Sequence, residues 1–179
     1  SIWLPRGASS PRLTGNGQSV ITLNFEVDRS QEESREKNWS DLGWQSYGQG
    51  FGEGPLCLKS WRGEGRCGAF SRRSLKGRIE THLKLSDSEH LSLLLRGERG
   101  GTSRSESQLA LRLLDVDGEV IAQTRVKPDG KWRRSLLIPR TRRRANHRMN
   151  SRFTLQIIDQ DSKASLTVDD IKIDTALDR

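Results

Sequence analysis

The stretch from Ala164 to Asp174, ASLTVDDIKID, constrains the fold more than any other. Leu166 and Val168 alternate with polar residues, and Ile171 and Ile173 resume the alternation one residue out of step. Side chains in a strand repeat every two residues, so one extra residue moves every later side chain to the other face. The slip at Asp169 and Asp170 therefore predicts a β-bulge or a strand end. Two adjacent carboxylates beside irregular backbone also make a candidate site for a cation, which takes carboxylate and carbonyl oxygens together.

The same period of two recurs along the chain. Ile21, Leu23, Phe25 and Val27 form one apolar face, and Ile79, Thr81, Leu83 and Leu85 another. Leu91 to Leu95 is a more continuous apolar run, ended by a Gly-, Ser- and Arg-rich loop from Gly97 to Ser107. Leu109, Leu111 and Leu113 lead into DVDG, Asp115 to Gly118, a hairpin turn of the Asp-Gly kind. Val120, Ala122, Thr124 and Val126 return from it. Trp132, Leu136 and Ile138 give the next inward set, and Phe153, Leu155 and Ile157 the penultimate strand. Eight or nine short strands with regular turn signals and no convincing helix predict an all-β antiparallel sandwich of jelly-roll topology. With 179 residues, one domain over 18–179 is expected, preceded by an arm or linker at 1–17. No apolar run reaches the roughly 18 residues of a bilayer span. Beginning without an initiator Met, the chain reads as a mature or excised segment of a longer secreted or surface protein.

Cys57 and Cys67, ten positions apart in a Gly-rich loop, lack the spacing of a redox pair or a zinc site. A disulfide between them is the preferred reading, pointing to an extracellular or periplasmic compartment. Two unpaired thiols are the alternative. The net charge of +8 is uneven. Lys131, Arg133, Arg134, Arg140, Arg142, Arg143, Arg144, Arg148 and Arg152 contribute nine positive charges without an acid among them, leaving 8 − 9 = −1 for the rest. Within that segment Arg142, Arg143, Arg144 and Arg148 could clamp sulfates, carboxylates or phosphates through bidentate hydrogen bonds. A solvated loop or a docking surface for an acidic protein partner are the alternatives. Nucleic acid is not expected, since zinc ligands, a recognition helix and an RNP-like aromatic strand are all lacking.

From Trp39 to Phe70 the chain interleaves aromatics with glycines. Trp44, Tyr47, Phe51 and Trp61 are candidate stacking platforms for a sugar, with Arg62 beside Trp61. Core packing is the competing role, expected first for Trp39, Trp44 and Phe70, because large aromatics dominate lean cores.

The order of NFE at Asn24 to Glu26, a downstream Trp39 or Trp44, the LRLLDVDGEV hairpin, the strand from Gly130 to Pro139 and the closing VDDIKI resembles the galactose-binding-like jelly-roll group. That group includes carbohydrate-binding modules and MAM-type domains. The resemblance implies that first and last strands meet, with a structural calcium ion held there by Glu26, Asp169 and Asp170. It also implies a non-catalytic module that binds a glycan or acidic polysaccharide. The low tyrosine and high arginine content depart from members that bind neutral sugars.

Catalysis finds little support. His82, His90 and His147 are not in a metal-binding spacing, and neither a Gly-x-Ser-x-Gly elbow nor a phosphate loop is present. Glu53 and Glu64 leave a polysaccharide-active enzyme as a third reading, behind a binding module and a structural protein-interaction module.

Overall fold

The computed structural model describes residues 12–13, 19–23, 38–57, 67–72, 74–99, 107–139 and 151–174, with the backbone alone at 12–13, 19–23, 56–57 and 67. Twelve strands are described: β1 (Arg12–Leu13), β2 (Ser19–Leu23), β3 (Gln45–Gly48), β4 (Leu56–Cys57), β5 (Cys67–Phe70), β6 (Gly77–Leu85), β7 (His90–Arg99), β8 (Leu109–Leu114), β9 (Val120–Arg125), β10 (Arg133–Leu137), β11 (Ser151–Asp159) and β12 (Ala164–Asp174). One short 3₁₀ turn, Ser40–Leu42, precedes β3. Among the described residues no helix is long and apolar enough to cross a membrane.

All pairings are antiparallel and fall into two sheets. The smaller runs β3-β6-β11-β8-β9. In the larger, β12 is central, with β7 and then β10 on one side and β2 and β5 on the other. Alternation puts Ile79, Leu83, Leu85, Leu111, Leu113, Leu155 and Ile157 of the smaller sheet against Leu91, Leu93, Leu166, Val168, Ile171 and Ile173 of the larger, all at most 1% exposed. Each such side chain contributes about 1.5–3 kcal/mol through burial. Thr81 shares the buried face, its hydroxyl donating to the Gly43 carbonyl at 2.9 Å.

The expected slip in the last strand is a bulge. Asp169 lies opposite Leu94 but Lys172 opposite Ser92, so β12 spends one residue more than β7. Asp170 takes φ 52°, a left-handed conformation that aspartate tolerates better than most residues. The partner on β12's other side also changes here, from β5 opposite Thr167 and Val168 to β2 opposite Ile171 to Ile173. First and last strands thus meet as expected. Of the interval read as an arm, Arg12 and Leu13 pair with β2.

Three other expectations are corrected. The first three residues of the interval read as a loop from Gly97 to Ser107 are strand: β7 continues to Arg99, and a Cβ at Gly97 would meet the Lys127 carbonyl at 2.7 Å, so close approach rather than chain reversal demands glycine there; residues 100–106 lie outside the described residues. In β10 the parity is reversed, with Leu137 buried while Leu136 and Ile138 are 43% and 45% exposed; three consecutive apolar residues fit either parity. Trp44 and Phe51 are 4% and 2% exposed and pack with Trp39 in the core, so neither offers a face to a ligand. Trp39 meets Trp44 edge-on at 6.2 Å and donates its indole N–H to the Phe51 carbonyl at 3.1 Å. The glycines around these rings let a loop fold back as a plug over one end of a core poor in large side chains.

Candidate binding groove

Along β6 and the first part of β11 the outward side chains are polar, as expected for the non-core half of an alternating strand. Strand register sets them in pairs: Glu80 opposite Gln156, His82 opposite Thr154, and Lys84 opposite Arg152. The first pair forms a closed network. Gln156 donates to Glu80 Oε1 at 2.5 Å, and Arg78 donates to the same oxygen at 2.9 Å. The Arg78 guanidinium also lies over the Tyr47 ring, 4.0 Å from its centroid. In the second pair His82 Nδ1 and Thr154 Oγ1 share a hydrogen bond of 3.0 Å.

Beyond these pairs the sheet surface deepens into a groove of about 510 Å³, walled by His82, Lys84, Arg152 and Thr154 and by Asp115 and Val116 of the β8–β9 hairpin. The hairpin is a rigid wall. Asp115 Oδ1 accepts the amides of Asp117 and Glu119, both at 2.9 Å, and Gly118 supplies φ 82°. Val116 is 75% exposed at the rim. The groove therefore combines hydroxyl, imidazole and cationic hydrogen-bonding groups with an apolar lip, a lining suited to a polar ligand with apolar faces.

No protein-family model and no curated protein matches the sequence, whereas solved structures do. A cleaved adhesin domain of Lys-gingipain from Porphyromonas gingivalis aligns at TM-score 0.50 and 11% identity, over 86% of this chain and 96% of that domain. TmCBM61, solved in complex with beta-1,4-galactotriose, aligns at 0.46 and 12%, over 84% of this chain and 97% of that one. The C-terminal family 22 carbohydrate binding module of Clostridium thermocellum Xyn10B aligns at 0.42 and 11%, over 86% and 95%. The fold is an antiparallel β-sandwich consistent with the galactose-binding-like jelly roll.

Of the residues expected to bind ligand, Trp44, Tyr47 and Phe51 are among the described residues, the first and last of them in the core. Tyr47 is half-buried on β3, one face covered by Arg78. Trp61, Arg62, Arg142, Arg143, Arg144 and Arg148 lie outside the described residues, as do Glu26 and the side chains of Cys57 and Cys67. The described part of the basic segment is divided between surfaces: Arg133 pairs with Asp129, Arg134 with Asp170, and Arg152 walls the groove. Sequence reasoning missed His82, Lys84, Thr154 and Asp115 as a site. The signal of the first three was membership of the polar half of an alternating strand, which a solvated sheet face shares, and that of Asp115 was its place in the hairpin turn.

The bulge does not fit the expected calcium ion at Asp170. Arg134 donates to the Asp170 carbonyl at 2.9 Å and to its carboxylate at 2.5 Å, and the Lys172 ammonium stands 3.5 Å from the same oxygen. A dication there would face two cations across the oxygens it needs. Asp169, 4% exposed, accepts the Asp170 amide at 2.7 Å. Among the described residues no three His, Cys, Asp or Glu side chains gather as a metal set.

Proposed function

We propose that this jelly roll is a non-catalytic glycan-binding module of a larger secreted or surface protein, and that the groove between β6, β11 and the β8–β9 hairpin is its binding surface. The observation that carries this reading is the groove itself: a preformed 510 Å³ depression on the smaller sheet, lined by hydrogen-bonding residues together with Leu83, Phe153 and the exposed Val116. Sugars offer that combination in reverse, with hydroxyls on the ring edge and C–H groups on its face. Directly opposed cysteines in β4 and β5 support an oxidising compartment.

Affinity electrophoresis through gels containing neutral and acidic polysaccharides tests the proposal. Retardation by at least one polysaccharide is expected. It should be lost in Thr154→Met, which fills the groove and removes a hydroxyl, and kept in Leu136→Ser on the opposite sheet. Equal retardation of Thr154→Met and wild type would place binding elsewhere. A second reading, docking to a protein neighbour, draws on Leu136 and Ile138, both exposed along β10; it predicts association that Leu136→Ser weakens.

A further inference from the structure

We infer that Lys84 and Arg152 form an anion-binding point in the groove, specific for the carboxylate or sulfate group of an acidic glycan. The inference rests on reading the groove as the glycan site and names the chemistry of its ligand. Lys84 and Arg152 are direct cross-strand partners, and like charges in that relation repel. A sheet face under selection for stability alone would neutralise such a pair. Two steps along the same ladder the charge is compensated, where Glu80 faces the uncharged Gln156 and is held by both it and Arg78.

At Lys84 and Arg152 no such neutralisation occurs. Neither makes an ion pair or side-chain hydrogen bond with any described residue, although both wall the groove. The carboxylate that shares the groove wall with them, Asp115, spends Oδ1 on two backbone amides of its own turn. Two adjacent cations beside a His82–Thr154 hydrogen bond thus leave a position for an anion next to further hydrogen-bonding groups. A guanidinium and an ammonium side by side suit a carboxylate or sulfate ester, one through a planar fork and the other as a point charge. Sugar hydroxyls adjoining that group would meet His82 and Thr154.

The experiment compares wild type, Lys84→Met and Arg152→Gln against polygalacturonate, its fully methyl-esterified form, a sulfated galactan and neutral β-galactan, by isothermal titration at low and moderate salt. Binding to polygalacturonate or the sulfated galactan is expected, with the preferred polymer distinguishing carboxylate from sulfate. Each substitution should weaken it about tenfold, added salt should weaken it further, and esterification should abolish carboxylate binding. Both variants should melt at or above the wild-type temperature, since each removes a repulsion. Neutral galactan bound as tightly as the acidic polymers, with both variants unaffected, overturns the anion point and leaves the glycan module standing. Failure of every polysaccharide to bind overturns both.

Discussion

The guanidinium of Arg134 donates to both the backbone carbonyl and the side-chain carboxylate of Asp170, at 2.9 and 2.5 Å, and so clamps β10 across β7 onto the bulge of β12. Asp170 is the one non-glycine among the described residues with positive φ. A third contact, from Arg134 to the Ser92 hydroxyl at 3.3 Å, ties in the strand between. The clamp sits where β12 exchanges β5 for β2, so it fixes the point at which the larger sheet changes partners.

Arg134→Ala should therefore destabilise the fold by about 1–2 kcal/mol, a charge-assisted pair discounted for side chains that retain contact with water. Asp170→Gly should cost less than Asp170→Ala, because glycine accepts the left-handed backbone and alanine does not. Melting in EDTA should match melting in calcium. A rise in melting temperature on adding calcium would show that a cation, not the arginine, holds the bulge.

Asp159, at the end of β11, is fully buried, and its Oδ2 has no hydrogen-bond partner among the described residues. Burial raises its pKa to about 6, against the opposing hydrogen bonds from Ser71 and the Asp161 amide. Between about pH 4 and pH 6 the folded protein holds a proton that the unfolded chain has released, so stability falls as pH rises through this window. The difference is at most roughly 3 kcal/mol. Asp161 runs the other way: burial would raise its pKa, but the Lys163 and Gln108 amides and Arg99 hold it below the ordinary range, so its contribution is lost on acidification below about pH 4. Chemical denaturation across pH 3 to 8 should show these slopes, and Asp159→Asn should remove the fall between 4 and 6.

Cys57 lies directly opposite Cys67 in the β4–β5 pair. Opposed residues of antiparallel strands have Cα atoms about 4.5–5.5 Å apart, inside the range of roughly 4.4–6.8 Å that disulfides span. Thiol titration of the denatured, unreduced protein should find no free thiol, and reduction should lower stability by about 2–3 kcal/mol. Two reactive thiols before reduction would contradict the pairing.

The aromatic segment yields a contrast between sites. Trp44→Ala or Phe51→Ala should cost about 3–5 kcal/mol, as large buried side chains do, whereas Tyr47→Ala, on the sheet's outer face, should cost far less. Loss of glycan binding by a Trp44 variant that melts like wild type would return Trp44 to the binding surface.

Much of the architecture was legible because alternation is a strong signal where one face is buried. Ile79, Thr81, Leu83 and Leu85 all point inward, and the parity slip at Asp169 and Asp170 marked the bulge to the residue. Alternation failed where apolar residues run together, as at Leu136, Leu137 and Ile138, and where glycine serves close packing, as at Gly97. The groove was illegible for a different reason. His82 and Thr154, or Lys84 and Arg152, are far apart in sequence, and only the β6–β11 register joins them. Among the aromatics Phe51 misled because exposure is a tertiary property: it is buried with Trp39 and with Trp44, for which core packing was the first expectation.

The central claim, that glycan binds in the groove on the smaller sheet, is tested most directly by mapping backbone amide chemical shifts while titrating an oligosaccharide of the polysaccharide that most retards the protein. The account predicts saturable perturbations clustered at residues 82–84, 115–116 and 152–154, with β10 and β7 unmoved. Perturbations confined to Leu136, Ile138 and their neighbours, or to the segment around Trp61, would contradict it.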